Sequence, residues 1–131
     1  MDRREALVAI VDDEESIRRA LLRLFRLNRF RTEAFSSAAA FLDSLSDRTP
    51  DCLVLDLHMP GITGLDLLRL LRGFAQPPPV IVITAHDKPH VRDECRRLGT
   101  RHYLNKPIDS KILLQHVRDV LDASSSSRPA M

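Results

Sequence analysis

A three-layer α/β domain, with helices covering both faces of a parallel five-stranded sheet, is the fold this sequence predicts, and three observations predict it. Short apolar runs of strand length, Leu7-Val8-Ala9-Ile10-Val11, Cys52-Leu53-Val54-Leu55 and Val80-Ile81-Val82-Ile83, recur along the chain without polar alternation. Strands of that kind are buried on both faces, as in parallel sheets. Helix-period segments separate the runs, which calls for right-handed crossovers. The runs also end on chemistry: Asp12-Asp13 after the first, Asp56 after the second, Thr84 after the third.

The remaining elements follow in order. From Glu15 to about Leu27, Ile17, Leu21 and Leu24 with Ala20 and Phe25 make an apolar helix face, and acids at its start suit the positive end of the helix dipole. Arg31-Thr32-Glu33-Ala34-Phe35 is short and polar, which suits an edge strand; Ser36 or Ser37 then caps an Ala-rich helix running to about Leu45. Leu65 to Leu71 fits a short helix after Gly64, stopped by Gly73 and Pro77-Pro78-Pro79. Val91, Cys95 and Leu98 mark a further helix ending at Gly99, and His102-Tyr103-Leu104-Asn105 is a weak fifth strand leading into Lys106-Pro107. Ile112, Leu113, Val117, Val120 and Leu121 define the last helix. The domain is expected over 1–122, with 123–131 a flexible Ser-rich tail or the start of a linker. With the polar strand at an edge, the natural order is 2-1-3-4-5, that of flavodoxin-like doubly wound sheets.

At 131 residues the chain is long enough for one domain with a proper core, and no internal repeat divides it. No apolar run approaches the ~20 residues of a membrane span, and no signal-peptide core is present, so a cytoplasmic protein without membrane contact is expected. The net charge is only +2, and the many arginines are interspersed with acids, which argues for solvated helix faces over a nucleic-acid-binding stripe. Cys52 and Cys95 lack metal-site spacing and read as reduced, packed thiols.

In the order 2-1-3-4-5 the carboxyl ends of the strands gather Asp12, Asp13, Asp56 and Thr84 at the switch point, with Lys106 arriving from the fifth strand. Carboxylates crowd badly: two unit charges about 4 Å apart repel by roughly 4 kcal/mol at an effective dielectric constant near 20. A cation relieves them. All-oxygen ligands favour Mg²⁺, and the sequence spacing presents no His/Cys cluster for a softer metal. Mg²⁺, an ammonium and a hydroxyl together are the means of holding a transferring phosphoryl group, with Asp56 as the attacking carboxylate.

The motif Asp-x-x-Met-Pro-x-x-x-Gly at Asp56 to Gly64, with Asp12-Asp13, Thr84-Ala85 and Tyr103-Leu104-x-Lys106-Pro107, resembles the receiver domain of two-component response regulators over residues 6 to 122. Within that family the segment Asp56 to Leu68 is most similar to the nitrogen-fixation regulator type, whose receivers often precede a helix-turn-helix domain. The resemblance implies that Asp56 is the phosphoacceptor for a sensor histidine kinase or phosphotransfer protein. It implies Mg²⁺ on Asp13, Asp56 and the main-chain carbonyl of His58, with Asp12 acting through metal-bound water. Lys106 would pair with the phosphoryl group, and Thr84 and Tyr103 would form the switch. His58 and His86 stand at the two variable positions that tune phosphoryl lifetime. The surface of the fourth helix, fifth strand and fifth helix would meet a partner or a phosphorylation-dependent second copy, and nucleic acid would be reached only through a separate output domain. Catalysis would extend only to the protein's own phosphorylation and dephosphorylation. Two other readings are a degenerate receiver serving as a constitutive interaction module and a flavin or nucleotide carrier. The complete acidic, Thr and Lys set opposes the first, and a first βα turn without a Gly-rich phosphate loop opposes the second.

Overall fold

A computed structural model describes residues 6–126. Five strands, β1 (Leu7–Val11), β2 (Arg31–Phe35), β3 (Cys52–Asp56), β4 (Val80–Thr84) and β5 (His102–Asn105), alternate with five helices, α1 (Glu15–Leu27), α2 (Ala38–Ser44), α3 (Gly64–Arg72), α4 (Pro89–Arg97) and α5 (Ser110–Ser126). All pairings are parallel and the strand order is β2-β1-β3-β4-β5, as expected from the sequence.

Side chains along each central strand alternate between two cores, because successive residues of a strand point to opposite faces. Val8, Ile10, Cys52, Val54, Ile81 and Ile83 pack under α1 and α5, against Phe25, Leu113 and Val117. Ala9, Val11, Leu53, Leu55, Val80 and Val82 face α2, α3 and α4, against Phe41, Leu67, Leu71 and Cys95. β1, β3 and β4 are buried at every position, which is why they carry no polar alternation. Each fully buried Leu or Phe in these layers stabilises the fold by about 1.5–3 kcal/mol relative to exposure. Burial pushes the Cys52 thiol up to about 12 and the Cys95 thiol up to about 11, so both behave as packed apolar groups.

Local chemistry sets the helix starts. Ser37 Oγ accepts from the Ala40 amide at 3.1 Å and begins α2. Thr63 and Asp66 form a reciprocal capping box at α3, with Thr63 Oγ1 accepting from the Asp66 amide and Asp66 accepting from the Thr63 amide, both at 3.1 Å. Gly64 is therefore the first residue of α3. It is also tightly packed: a Cβ there would lie 2.5 Å from Leu57 Cα and 2.6 Å from the Asp56 carbonyl oxygen. Gly99 ends the α4 segment at φ +89°, a left-handed conformation that favours glycine.

One boundary differs from the sequence expectation. α5 runs on past Asp122 through Ser126, beyond the point where a flexible tail was expected to begin. Ala123 and the serines contain no glycine or proline to stop a helix already propagating, and Ser is only mildly unfavourable within one. The rest of the expected tail, 127–131, lies outside the described residues.

Candidate functional site

Parallel register brings the site together. Val11 lies beside Leu55, Asp56 beside Ile83, and Thr84 beside Asn105, so the residues just past these pairs emerge together at the carboxyl edge of the sheet. Ligand oxygens of Asp12, Asp13 and Asp56 lie within 4.8 Å of one another. Asp12 and Asp56 are buried, and Asp13 is exposed. Lys106 Nζ reaches into this group, 3.1 Å from Asp12 Oδ2 and 3.7 Å from Asp56 Oδ1. It also sits 3.0 Å from Glu14 Oε1, a partner the sequence reading missed because Glu14 looked like one more acid at a helix start.

One ammonium does not balance these carboxylates. Burial, then the neighbouring Asp12, pushes the Asp56 carboxyl up to about 6; the His58 amide, which donates to Asp56 Oδ1 at 3.2 Å, and Lys106 oppose the rise without cancelling it. Burial alone would lower the Lys106 ammonium, but its hydrogen bonds to Glu14 and Asp12 and the nearness of Asp56 hold it above its ordinary value. Arg18, read from sequence as part of a solvated face, donates to the Asp12 carbonyl at 2.8 Å and steadies the first acidic loop. The Glu14 amide donates to Asp12 Oδ1 at 2.9 Å, turning that carboxylate toward its own loop.

Thr84 is buried at the end of β4. Its hydroxyl accepts from the His86 amide at 3.0 Å, and its carbonyl accepts from the Lys106 amide at 2.8 Å, so the loops after β4 and β5 are tied through this residue. His58 and His86 are exposed, and their rings approach to 4.1 Å, a contact between two loops that sequence spacing does not reveal. Tyr103 stands apart from the carboxylates. It packs on the α4 side of the sheet, with the Arg92 guanidinium 5.1 Å from its ring centre and Arg92 itself paired to Asp87.

An all-carboxylate donor set, with one member open to solvent and too little positive charge around it, suits a hard divalent cation of the Mg²⁺ class. The family model for the response regulator receiver domain matches residues 8–118. This chain belongs to that family. Among curated relatives, the transcriptional regulatory protein FixJ of Azorhizobium caulinodans is 35% identical over 118 residues, covering 90% of this chain and 56% of that protein. The receiver thus spans about half the length of the curated relatives it matches. A response regulator receiver protein from Burkholderia phymatum superimposes with a TM-score of 0.79 at 39% identity, covering 90% of this chain and 96% of that one. A CheY-like receiver from Methanospirillum hungatei, at 18% identity, has the same fold with a TM-score of 0.89, covering 95% and 99%. Receivers of this family act as phosphorylation switches in two-component systems. Among the described residues no helix is long and apolar enough to cross a membrane.

Proposed function

We propose that this receiver accepts a phosphoryl group on Asp56 from the phosphohistidine of a sensor histidine kinase or phosphotransfer protein, and that the modification reshapes its α4-β5-α5 surface. The observation that carries the reading is the buried Asp56 carboxylate at the end of a central strand, with two further carboxylates and one ammonium converging on it. An Asp56 carboxylate oxygen attacks phosphorus, the P–N bond to the donor imidazole breaks, and the imidazole leaves with the bonding pair and takes up a proton. Mg²⁺ bound when the receiver is active supplies charge neutralisation for the phosphoryl oxygens. Asp13, Asp56 and the main-chain carbonyl of His58 would hold it, and Asp12 would support it from the second rank of ligands. Lys106 pairs with the phosphoryl group, and its position 3.7 Å from Asp56 Oδ1 supports that role.

Thr84 is the relay to the surface. Its hydroxyl, now accepting from His86, turns to donate to a phosphoryl oxygen, and Tyr103 on the neighbouring strand occupies the space released. Reversing a 1:99 population takes about 5.5 kcal/mol, which a few hydrogen bonds to a charged group, about 1.5–3 kcal/mol each, can supply. His58 and His86, in contact above the site, set how readily water reaches the acyl phosphate and so tune its lifetime. The receiver's output is a partner or second copy on the α4-β5-α5 face in the cytoplasm, and nucleic acid is reached only through a separate output domain where one is attached.

Incubation with acetyl phosphate and Mg²⁺, followed by intact-mass measurement, tests the assignment. The parent gains one phosphoryl group and Asp56→Asn gains none. Label at parent stoichiometry in Asp56→Asn overturns the acceptor, and an unlabelled parent leaves the receiver a constitutive interaction module.

A further inference from the structure

A second cluster of metal-ligating side chains lies away from the phosphorylation site. His102 is the first residue of β5, on the side of the strand that carries Leu104 into the core beneath α5. His116 and Asp119 stand one turn apart on α5, where residues three apart share a face. The His102 and His116 rings stack at 3.7 Å between centres with an interplanar angle of 20°, and one ligand atom from each of His102, His116 and Asp119 lies within 4.8 Å of the others. His116 Nδ1 is buried and has no hydrogen-bond partner. Buried polar atoms are nearly always satisfied, so this nitrogen calls for a partner.

We propose that His102, His116 and Asp119 form a binding site for a borderline transition-metal ion of the Zn²⁺ class. Two imidazoles and one carboxylate are the three-ligand set of open tetrahedral zinc sites, and the nitrogen donors select against Mg²⁺ and Ca²⁺. Zinc–ligand bonds of this kind require donor atoms roughly 3.4 Å apart with both ring lone pairs converging on the ion, so one imidazole turns out of the observed stack when metal binds. The two rings are half-buried and Asp119 is exposed, so the fourth position faces solvent and takes water. Gln115 Nε2 donates to Asp119 Oδ1 at 2.9 Å and orients the carboxylate as an outer partner of a metal ligand does.

The site is distinct from the acidic pocket. Four residues of extended chain, roughly 13 Å, separate His102 from Lys106, and the cluster stands at the opposite end of β5. It ties the edge strand to α5, so metal there braces one side of the α4-β5-α5 face. The proposal stands whether or not Asp56 is phosphorylated.

Titration calorimetry with Zn²⁺ in saturating Mg²⁺, paired with NMR of the histidine ring protons, tests it. The parent binds one Zn²⁺ per chain with micromolar or tighter affinity, and the His102 and His116 ring signals shift together. Asp119→Asn, a change at an exposed position that leaves folding intact, weakens binding at least about tenfold, and His116→Asn removes it. His58→Asn and His86→Asn leave it unchanged, which separates this pair from the one above Asp56. Absence of micromolar binding by the parent, parent affinity in both Asp119→Asn and His116→Asn, or loss of binding in the His58 or His86 variants overturns the site.

Discussion

Replacing Asp56 by Asn should make the metal-free receiver more stable. The carboxyl is 1% exposed and stands beside Asp12, and these two facts lift it from 3.8 to about 6 in the folded chain. A carboxyl whose folded pKa is raised keeps its proton where the unfolded chain has lost it, so its ionisation works against folding. The penalty is absent below 3.8, grows as pH rises to about 6, and is complete above that. The separation of the two values corresponds to about 3 kcal/mol at neutral pH. Asn keeps the size and still accepts from the His58 amide, while Lys106 retains Asp12 and Glu14, so a gain of about 1–3 kcal/mol is expected. Urea denaturation followed by circular dichroism, in EDTA and across a pH series, measures it. Mg²⁺ should narrow the gap by stabilising the parent more than the variant. A variant less stable than the parent in EDTA at neutral pH, or a gap that does not change between 3.8 and about 6, would refute the argument.

Asp13→Ala removes the exposed member of the acidic cluster and should weaken Mg²⁺ binding at least about tenfold in titration calorimetry, with little change in stability; unchanged affinity would remove Asp13 from the site. Thr84→Ala should still accept phosphate, yet two-dimensional NMR with beryllium fluoride should show weakened shifts on α4 and at Tyr103. Parent-like shifts there would break the proposed relay. Gly64→Ala forces a Cβ against Leu57 Cα and the Asp56 carbonyl, backbone atoms that cannot turn aside. It should cost about 3 kcal/mol in urea denaturation, the upper end for an overpacked core, and should slow labelling by acetyl phosphate because the strained carbonyl belongs to Asp56. A loss under about 0.5 kcal/mol would mean that α3 shifts freely.

The sheet was legible because its physics is local and repetitive. Val8 to Val11, Cys52 to Leu55 and Val80 to Ile83 are apolar on both faces, which only a strand covered on two sides tolerates. β2 was placed at the edge by Arg31 and Glu33, both exposed in the structure. From that order alone, Asp12, Asp13, Asp56 and Lys106 had to meet, because parallel strands in register deliver their carboxyl ends to one edge. The end of α5 was misplaced because a serine run reads as tail by composition, whereas a helix continues until something stops it.

What the sequence could not carry were contacts set by side-chain reach between elements. Glu14 joins Lys106 across 92 residues of chain, and no spacing rule connects them. His58 meets His86 because two loops from adjacent strands fold over the same edge. Sequence spacing presented no cluster for a softer metal, yet the packing of α5 on the sheet stacks His116 on His102 with Asp119 beside them. The chain by itself determined the order of strands and the carboxylates at their ends, because periodicity and register act along the backbone. Tertiary structure alone decided which side chains from distant helices and loops close on one another, because that depends on how two apolar faces seat and not on any pattern within either.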